Sequence, residues 1–177
     1  MVMDISWKVF LMLILGILGV YTPLSAGDVS QHQDWQVQKT PEGSDLACYM
    51  TSIPQNQEGN FKKRGNPYIS VTHRPGKNSF NVFNVMAGYT YKDDSSVMVT
   101  IVSDPKKKGK EFTLFTQNSG AWTTDDKQDA ALLQAMKSGS ILIVEGVSQK
   151  GTTSKDTYSL KGFSAGIKEM NKMCPKQ

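Results

Sequence analysis

Cys48 and Cys174 are the only cysteines in the chain, and two thiols so far apart have two ordinary fates. They pair as one long-range disulfide in an oxidising compartment, or they remain buried free thiols. Nucleophilic chemistry has few other carriers. The only histidines are His32 and His73, and no Gly-x-Ser-x-Gly run lifts a serine onto a strand-to-helix turn. His73 stands in Thr72-His73-Arg74-Pro75, near an expected strand end, where a neutral imidazole bonded to backbone is the common outcome. With Arg74 and nearby hydroxyls it is also the one place for a general base. A zinc site wants three or four convergent His or Cys ligands, more than the sequence supplies. Met170 and Met173 beside Cys174 suit reduced copper in type, but thioethers at helical spacing among apolar neighbours usually fill a core. Asp125, Asp126 and Asp129 lack the alternating pattern of a calcium loop. Residues 146–151 lack the Gly-Lys-Ser/Thr ending of a phosphate loop. The sequence therefore points to no catalytic residue, no metal ligand and no cofactor.

What remains is chemistry of display. Lys106, Lys107, Lys108 and Lys110 form the one dense charge cluster, expected at a hairpin tip, where it is a solvated loop or a salt-sensitive attraction to an anionic surface. No aromatic residues interleave these lysines, which argues against nucleic acid. Tyr89, Tyr91 and Trp122 lie near expected connections and either plug the ends of the fold or form a binding patch.

The compartment is read from the N-terminus. Lys8 precedes an apolar run over 9–20, and Tyr21-Thr22-Pro23-Leu24-Ser25-Ala26-Gly27 then supplies a breaker and small residues, the pattern of a secretory signal peptide cleaved after Ala26 or Gly27. The run is too short to span about 30 Å of hydrocarbon as a rigid helix, and no later stretch is long enough. The mature chain is expected to have no transmembrane segment. Removing 27 of the 177 residues leaves 150, the size of one domain, taken as residues 28–177. Lys8 and Asp4 leave together, so the net charge stays at +4. Export favours the disulfide, which on the chain-entropy account would add about 4 to 5 kcal/mol.

Residues 28–34 read as a flexible polar leader, with His32 solvated. From Trp35 onward, short runs of period two predict strands over 35–39, 46–53, 68–72, 79–86, 97–102, 111–116, 141–147 and 157–161. The core candidates are Val97, Val99 and Ile101, Ile69 and Val71, and Phe112 with Leu114. Within 79–86, Phe80 and Val82 alternate on one side and Phe83 and Val85 on the other, so either both faces are covered or a bulge re-aims the strand. The run 141–144 is apolar throughout and predicts a strand buried on both faces. Asp125 caps a predicted helix over 126–138 that Gly139 ends. A second helix, capped by Ser164, aligns Phe163, Ile167, Met170 and Cys174 on one inward face. The fold expected is all-β with two short helices, closed as an antiparallel β-sandwich or barrel-like domain.

A set of motifs runs from Arg64 onward: Arg64-Gly65-Asn66-Pro67-Tyr68, Val71-Thr72-His73-Arg74-Pro75, Ala87-Gly88-Tyr89, Phe112-Thr113-Leu114-Phe115-Thr116 and Ala121-Trp122. They continue through Asp129, Ala135-Met136-Lys137, Gly139, Val144, Gly146, Ser148 and Gly151-Thr152, are densest from Asp156 to Ala165, and close with Cys174. On these residues the chain from Arg64 onward resembles the invasion-associated locus B family of exported alphaproteobacterial proteins. The resemblance implies a β-sandwich-like periplasmic, outer-membrane-associated or secreted protein, linked in some intracellular bacteria to invasion of host cells. It transfers no catalytic residue. In this motif Gly146 and Gly151 are expected to permit a bulge and a turn, while Tyr158 and Leu160 fill the core. The function expected is a non-enzymatic interaction protein whose partner is an envelope or host-surface protein or anionic component. The alternatives are a periplasmic accessory protein without a host role and an enzyme centred on His73.

Overall fold

The computed structural model describes residues 29–43 and 45–176, so the segment 1–27 lies outside the described residues. The elements in chain order are β1 (Val29–His32), β2 (Trp35–Glu42), β3 (Asp45–Ser52), β4 (Asn56–Glu58), β5 (Tyr68–Arg74), β6 (Ser79–Met86), β7 (Ser96–Val102), β8 (Lys110–Gln117), β9 (Gly120–Trp122), α1 (Asp126–Ser138), β10 (Ile141–Val147), β11 (Thr153–Ser159) and α2 (Phe163–Met173). Among the described residues, no helix is long and apolar enough to cross a membrane.

The strands form one open sheet in the order β1-β2-β3-β5-β6-β9-β8-β7-β10-β11-β4, and every pairing within it is antiparallel. The two ends of that order meet in space. Only residues 53–55 separate β3 from β4, yet β4 pairs with β11 at the opposite edge. Across the same seam the Gln55 N–H donates to the Thr157 carbonyl at 2.7 Å, and the Trp35 indole N–H donates to the Ser159 carbonyl at 3.1 Å. The sheet thus folds over a shared interior, in which Trp35 and Val37 of β2 belong to the same cluster as Leu142, Val144 and Tyr158. This is the sandwich-like closure that period-two alternation demands, since each strand has one apolar face to hide. Val97, Val99, Ile101, Ile69, Val71, Phe112 and Leu114 are all buried in it.

Several sequence expectations are corrected. The leader contributes β1, whose residues pair with β2 from Val29↔Gln38 to His32↔Trp35, and His32 is half-buried with Nε2 3.1 Å from the Ser30 hydroxyl. β4 and β9 were not expected. Both have three residues, too few to show a period. The last strand runs Thr153–Ser159, so Leu160 and Lys161 lie past its end. β10 is not buried on both faces: Leu142, Val144 and Gly146 point inward, Ile141 and Ile143 are half-covered and Glu145 is exposed, because no second layer covers its outer side. In β6 the bulge is realised. Asn81 takes φ 62°, the register against β5 slips, and Phe83 and Val85 are turned into the core.

The helices carry their own start signals. The Asp125 carboxylate accepts from the Gln128 N–H at 2.8 Å, the capping interaction that the sequence predicts. Asp129, expected only to complement the helix dipole, is buried and accepts from the Phe83 N–H at 2.8 Å and the Thr123 hydroxyl at 2.7 Å. It thereby satisfies a β6 donor just past the last β9 pairing, Asn84↔Trp122. α2 is capped by Gly162 rather than Ser164. Gly162 has φ 90°, and a Cβ there would collide with the His32 carbonyl oxygen of β1, so glycine is required on both counts. Phe163, Ile167 and Met170 face inward, and Phe163 meets Trp35 edge-on at 5.1 Å.

Candidate functional site

Along β3, β5 and β6 the residues that alternate with the core line an open hollow on the outer side of the sheet. It has a volume of about 590 Å³, and its lining includes Tyr49, Tyr68, Ser70, Thr72, Arg74 and Trp122. Ser70 and Thr72 form a sheltered floor, where the Ser70 hydroxyl donates to the Asn84 side-chain oxygen. The rim is apolar. Ile53 is 72% exposed and Tyr68 37%, and Trp122 stacks at 6.0 Å on Phe115, which lies beside the hollow and is 46% exposed. At the other end Arg74 donates to the Glu42 carboxylate at 2.9 Å and to the Tyr49 hydroxyl at 3.3 Å. That hydrogen bond from Arg74 holds Glu42 below the ordinary carboxylate range. Trp122 therefore lies within β9 on an accessible face, not at an end plug.

His73 and Arg74 are not brought together. Successive residues of β5 face opposite sides of the sheet, which puts Arg74 in the hollow and His73 in the interior, 1% exposed. The Cys174 carbonyl lies 3.3 Å from His73 Nδ1, and the Asn81 side-chain oxygen lies 3.1 Å from Nε2. Burial pushes the imidazole below its usual pKa, with these two hydrogen bonds opposing. Beside it, Cys48 and Cys174 are joined as a disulfide, the one pairing that two cysteines offer. The Cys174 sulfur is thus covalently committed, while Met170 is fully buried and Met173 packs against the core.

A second surface surrounds a buried ion pair. Arg64 donates through both terminal nitrogens to Asp156, at 2.7 Å and 2.6 Å, and through Nε to the Ala87 carbonyl at 2.8 Å. Its side chain is 8% exposed and that of Asp156 2%. Burial disfavours the Arg64 charge, but the Asp156 carboxylate outweighs it and raises the guanidinium pKa. Phe61 and Tyr89 stack on each other at 5.2 Å, and the guanidinium carbon sits 5.1 Å from each ring. The Tyr89 hydroxyl shares a 2.6 Å hydrogen bond with Ser154, and burial pushes its phenol pKa up. Tyr91 is 3% exposed and belongs to the core. Gly146 makes room for it: a Cβ there would come 2.7 Å from the Tyr91 ring. The glycine thus serves close approach rather than the expected bulge, for β10 pairs regularly with β11 through Val147. Gly151 does turn, at φ 80°, and Tyr158 and Leu160 are buried as expected. Above the pair lies a cleft of about 720 Å³ between the 60–65 segment, Gly88-Tyr89-Thr90 and the β10–β11 turn.

Lys106, Lys107, Lys108 and Lys110 occupy the β7–β8 connection and the first residue of β8, apart from both surfaces. Lys107 lies 3.8 Å from Asp104, Lys108 lies 3.3 Å from Glu111, and the Lys110 ammonium sits 5.2 Å over the Phe112 ring. Acidic neighbours thus temper the densest basic run. Sequence reasoning missed Ile53 and Tyr68 in the hollow and Phe115 beside it, and Phe61, Lys62, Lys63, Arg64, Lys150 and Asp156 around the cleft. Period two carries a signal for Tyr68 and Phe115, which alternate with Ile69 and Leu114. No local signal pairs Arg64 with Asp156.

The family model described as "Invasion associated locus B (IalB) protein" matches residues 35–171. Among solved structures, the crystal structure of invasion associated protein b from Bartonella henselae is similar at a TM-score of 0.52 and 15% identity, over 82% of this chain and 97% of that one. At that identity the likeness is one of fold. No curated relative matches the chain.

Proposed function

Because the chain belongs to the invasion associated locus B family, we propose that it is an exported, non-enzymatic binding protein that supports envelope function or host-cell invasion. The observation that carries this reading is the hollow on the outer side of the sheet, where exposed Tyr68 and Ile53 and half-buried Trp122 surround a sheltered polar floor, with exposed Phe115 stacked on Trp122 beside it. Exposed aromatic and aliphatic side chains grouped on one face are the usual mark of a contact surface. Export is supported by the apolar run over 9–20 and by a disulfide of the kind that persists in oxidising compartments. The pairing of Arg74 with Glu42 fixes one end of the hollow and leaves the apolar rim to supply the contact area.

The test is a deletion strain of the source bacterium complemented with wild type or with Trp122→Ala combined with Phe115→Ser. Both side chains stand on the outer face, so the variant is expected to be exported and oxidised like wild type. Invasion or envelope integrity should remain at the level of the deletion strain. Full rescue by the variant, at equal protein level, would refute the hollow as the working surface. Protease shaving of intact cells separates the two settings: digestion marks exposure outside the outer membrane, and protection marks a periplasmic role.

A further inference from the structure

We infer that the cleft over the Arg64–Asp156 pair is a binding site for a saccharide carrying sulfate or phosphate groups. It shares no lining residue with the outer hollow, so the inference goes beyond the reading above. The fold assembles its charge from two distant segments. Lys62 and Lys63 come from one wall and Lys150 from the other; all three are exposed, and none is in an ion pair among the described residues. No acidic residue lines the cleft. Arg64 at its base is already neutralised by Asp156, so the three lysines are the cations free to meet an anion.

The remaining lining selects among anions. Asn60, Thr90, Gln149 and Thr152 offer amides and hydroxyls, the groups that exchange hydrogen bonds with sugar hydroxyls. A nucleic-acid base would want an open aromatic face to stack upon. Here the rings of Phe61 and Tyr89 are turned on each other and on the Arg64 guanidinium. A volume of about 720 Å³ lies within the range of small-ligand clefts. Lysine ammonium groups bind oxyanions as point charges, which suits sulfate or phosphate displayed at several positions on a flexible chain.

Calorimetric titration of the oxidised protein tests this with two probes, a heparin-derived octasaccharide and a phosphorylated core oligosaccharide released from lipopolysaccharide. At least one should bind. Combined Lys62→Gln, Lys63→Gln and Lys150→Gln substitution should weaken that binding by at least about tenfold and flatten its salt dependence. Equal melting temperatures confirm that the variant folds. Glutamine at Lys106, Lys107, Lys108 and Lys110 should change affinity by less than about twofold. Preference for the sulfated probe places the ligand on a host surface, and preference for the phosphorylated one places it in the envelope; either supports the site. Three results would overturn it: neither probe binds, the hairpin variant loses as much as the cleft variant, or a single-stranded oligonucleotide of equal charge binds as tightly. Retained invasion defects in the Trp122 and Phe115 variant, with saccharide binding intact, would show the two surfaces to be separate.

Discussion

Two buried centres tie together parts of the chain that lie far apart in sequence, and they differ in kind and in setting. The Cys48–Cys174 disulfide joins β3 to the end of α2 across 126 residues. It is closed in by His73, and both cysteines are buried. The Arg64–Asp156 pair joins the loop before β5 to β11, and it borders an open cleft. A covalent tie restrains the unfolded chain whatever surrounds it. A buried ion pair acts only in the folded state, and only while both partners stay charged and fully hydrogen-bonded. The covalent centre is thus suited to holding the last helix through changes of environment. The ionic centre is suited to shaping a surface, because Arg64 also anchors the Ala87 carbonyl and the two rings of the cleft wall.

Breaking the covalent centre should have the larger effect. Replacement of Cys48 and Cys174 together by serine is expected to lower the unfolding free energy by about 4 to 5 kcal/mol, the chain-entropy value for so long a loop. Urea titration of the oxidised wild type and the double variant measures it. A change below about 1 kcal/mol would mean that packing of Phe163, Ile167 and Met170 already holds the helix.

The ionic centre should come next and should show an asymmetry that the disulfide cannot. Asp156→Asn leaves the Arg64 charge buried without its partner, at a cost of about 3 kcal/mol or more, whereas Arg64→Met combined with Asp156→Leu removes both charges and should cost less. Melting curves of the single and double variants decide this. A double variant less stable than the single would show that the Ala87 and ring contacts of Arg64 outweigh the desolvation of the pair.

The same contrast governs what could be read from sequence. The disulfide was legible because a chain with two cysteines has one pairing to offer. The long strands and α1 were legible because their period and caps are local: Val97, Val99 and Ile101 alternate inward, and Asp125 does cap. β1, β4 and β9 were not, since strands this short are chosen by the neighbours that pair with them. The ion pair was hidden for a related reason. Asp156 has an ordinary polar strand neighbourhood, and only the folding of β11 beside the 60–65 segment selects Arg64 for it. The basic cleft was hidden twice over, because its lysines come from separate segments. The dense run at Lys106, Lys107, Lys108 and Lys110 drew attention by sequence density, although Asp104 and Glu111 sit beside it.

The smallest expected effect concerns His73, and it sharpens the contrast by pH. Burial lowers the folded-state pKa of His73 below its ordinary 6.5, so between that lowered value and 6.5 the unfolded chain binds more protons than the folded one. Stability therefore rises with pH through this window and is lost as pH falls below 6.5. Glu42 responds lower on the scale: its pKa is depressed from 4.5 by the hydrogen bond from Arg74, so its contribution fades only as pH falls through the depressed value. Asp129, raised by burial, acts in the opposite sense in the acid range. Both are present in wild type and in His73→Gln, so the difference between the two proteins isolates the imidazole. The substitution should cost about 1 kcal/mol or less at neutral pH, since a glutamine amide can replace one imidazole hydrogen bond. Its urea midpoint should then fall less than that of wild type from about pH 7.5 to about pH 5. Parallel pH profiles would mean that the ring takes up its proton inside the fold, held between the Cys174 carbonyl and the Asn81 side-chain oxygen as a double donor, and that the covalent centre is as polar as the ionic one.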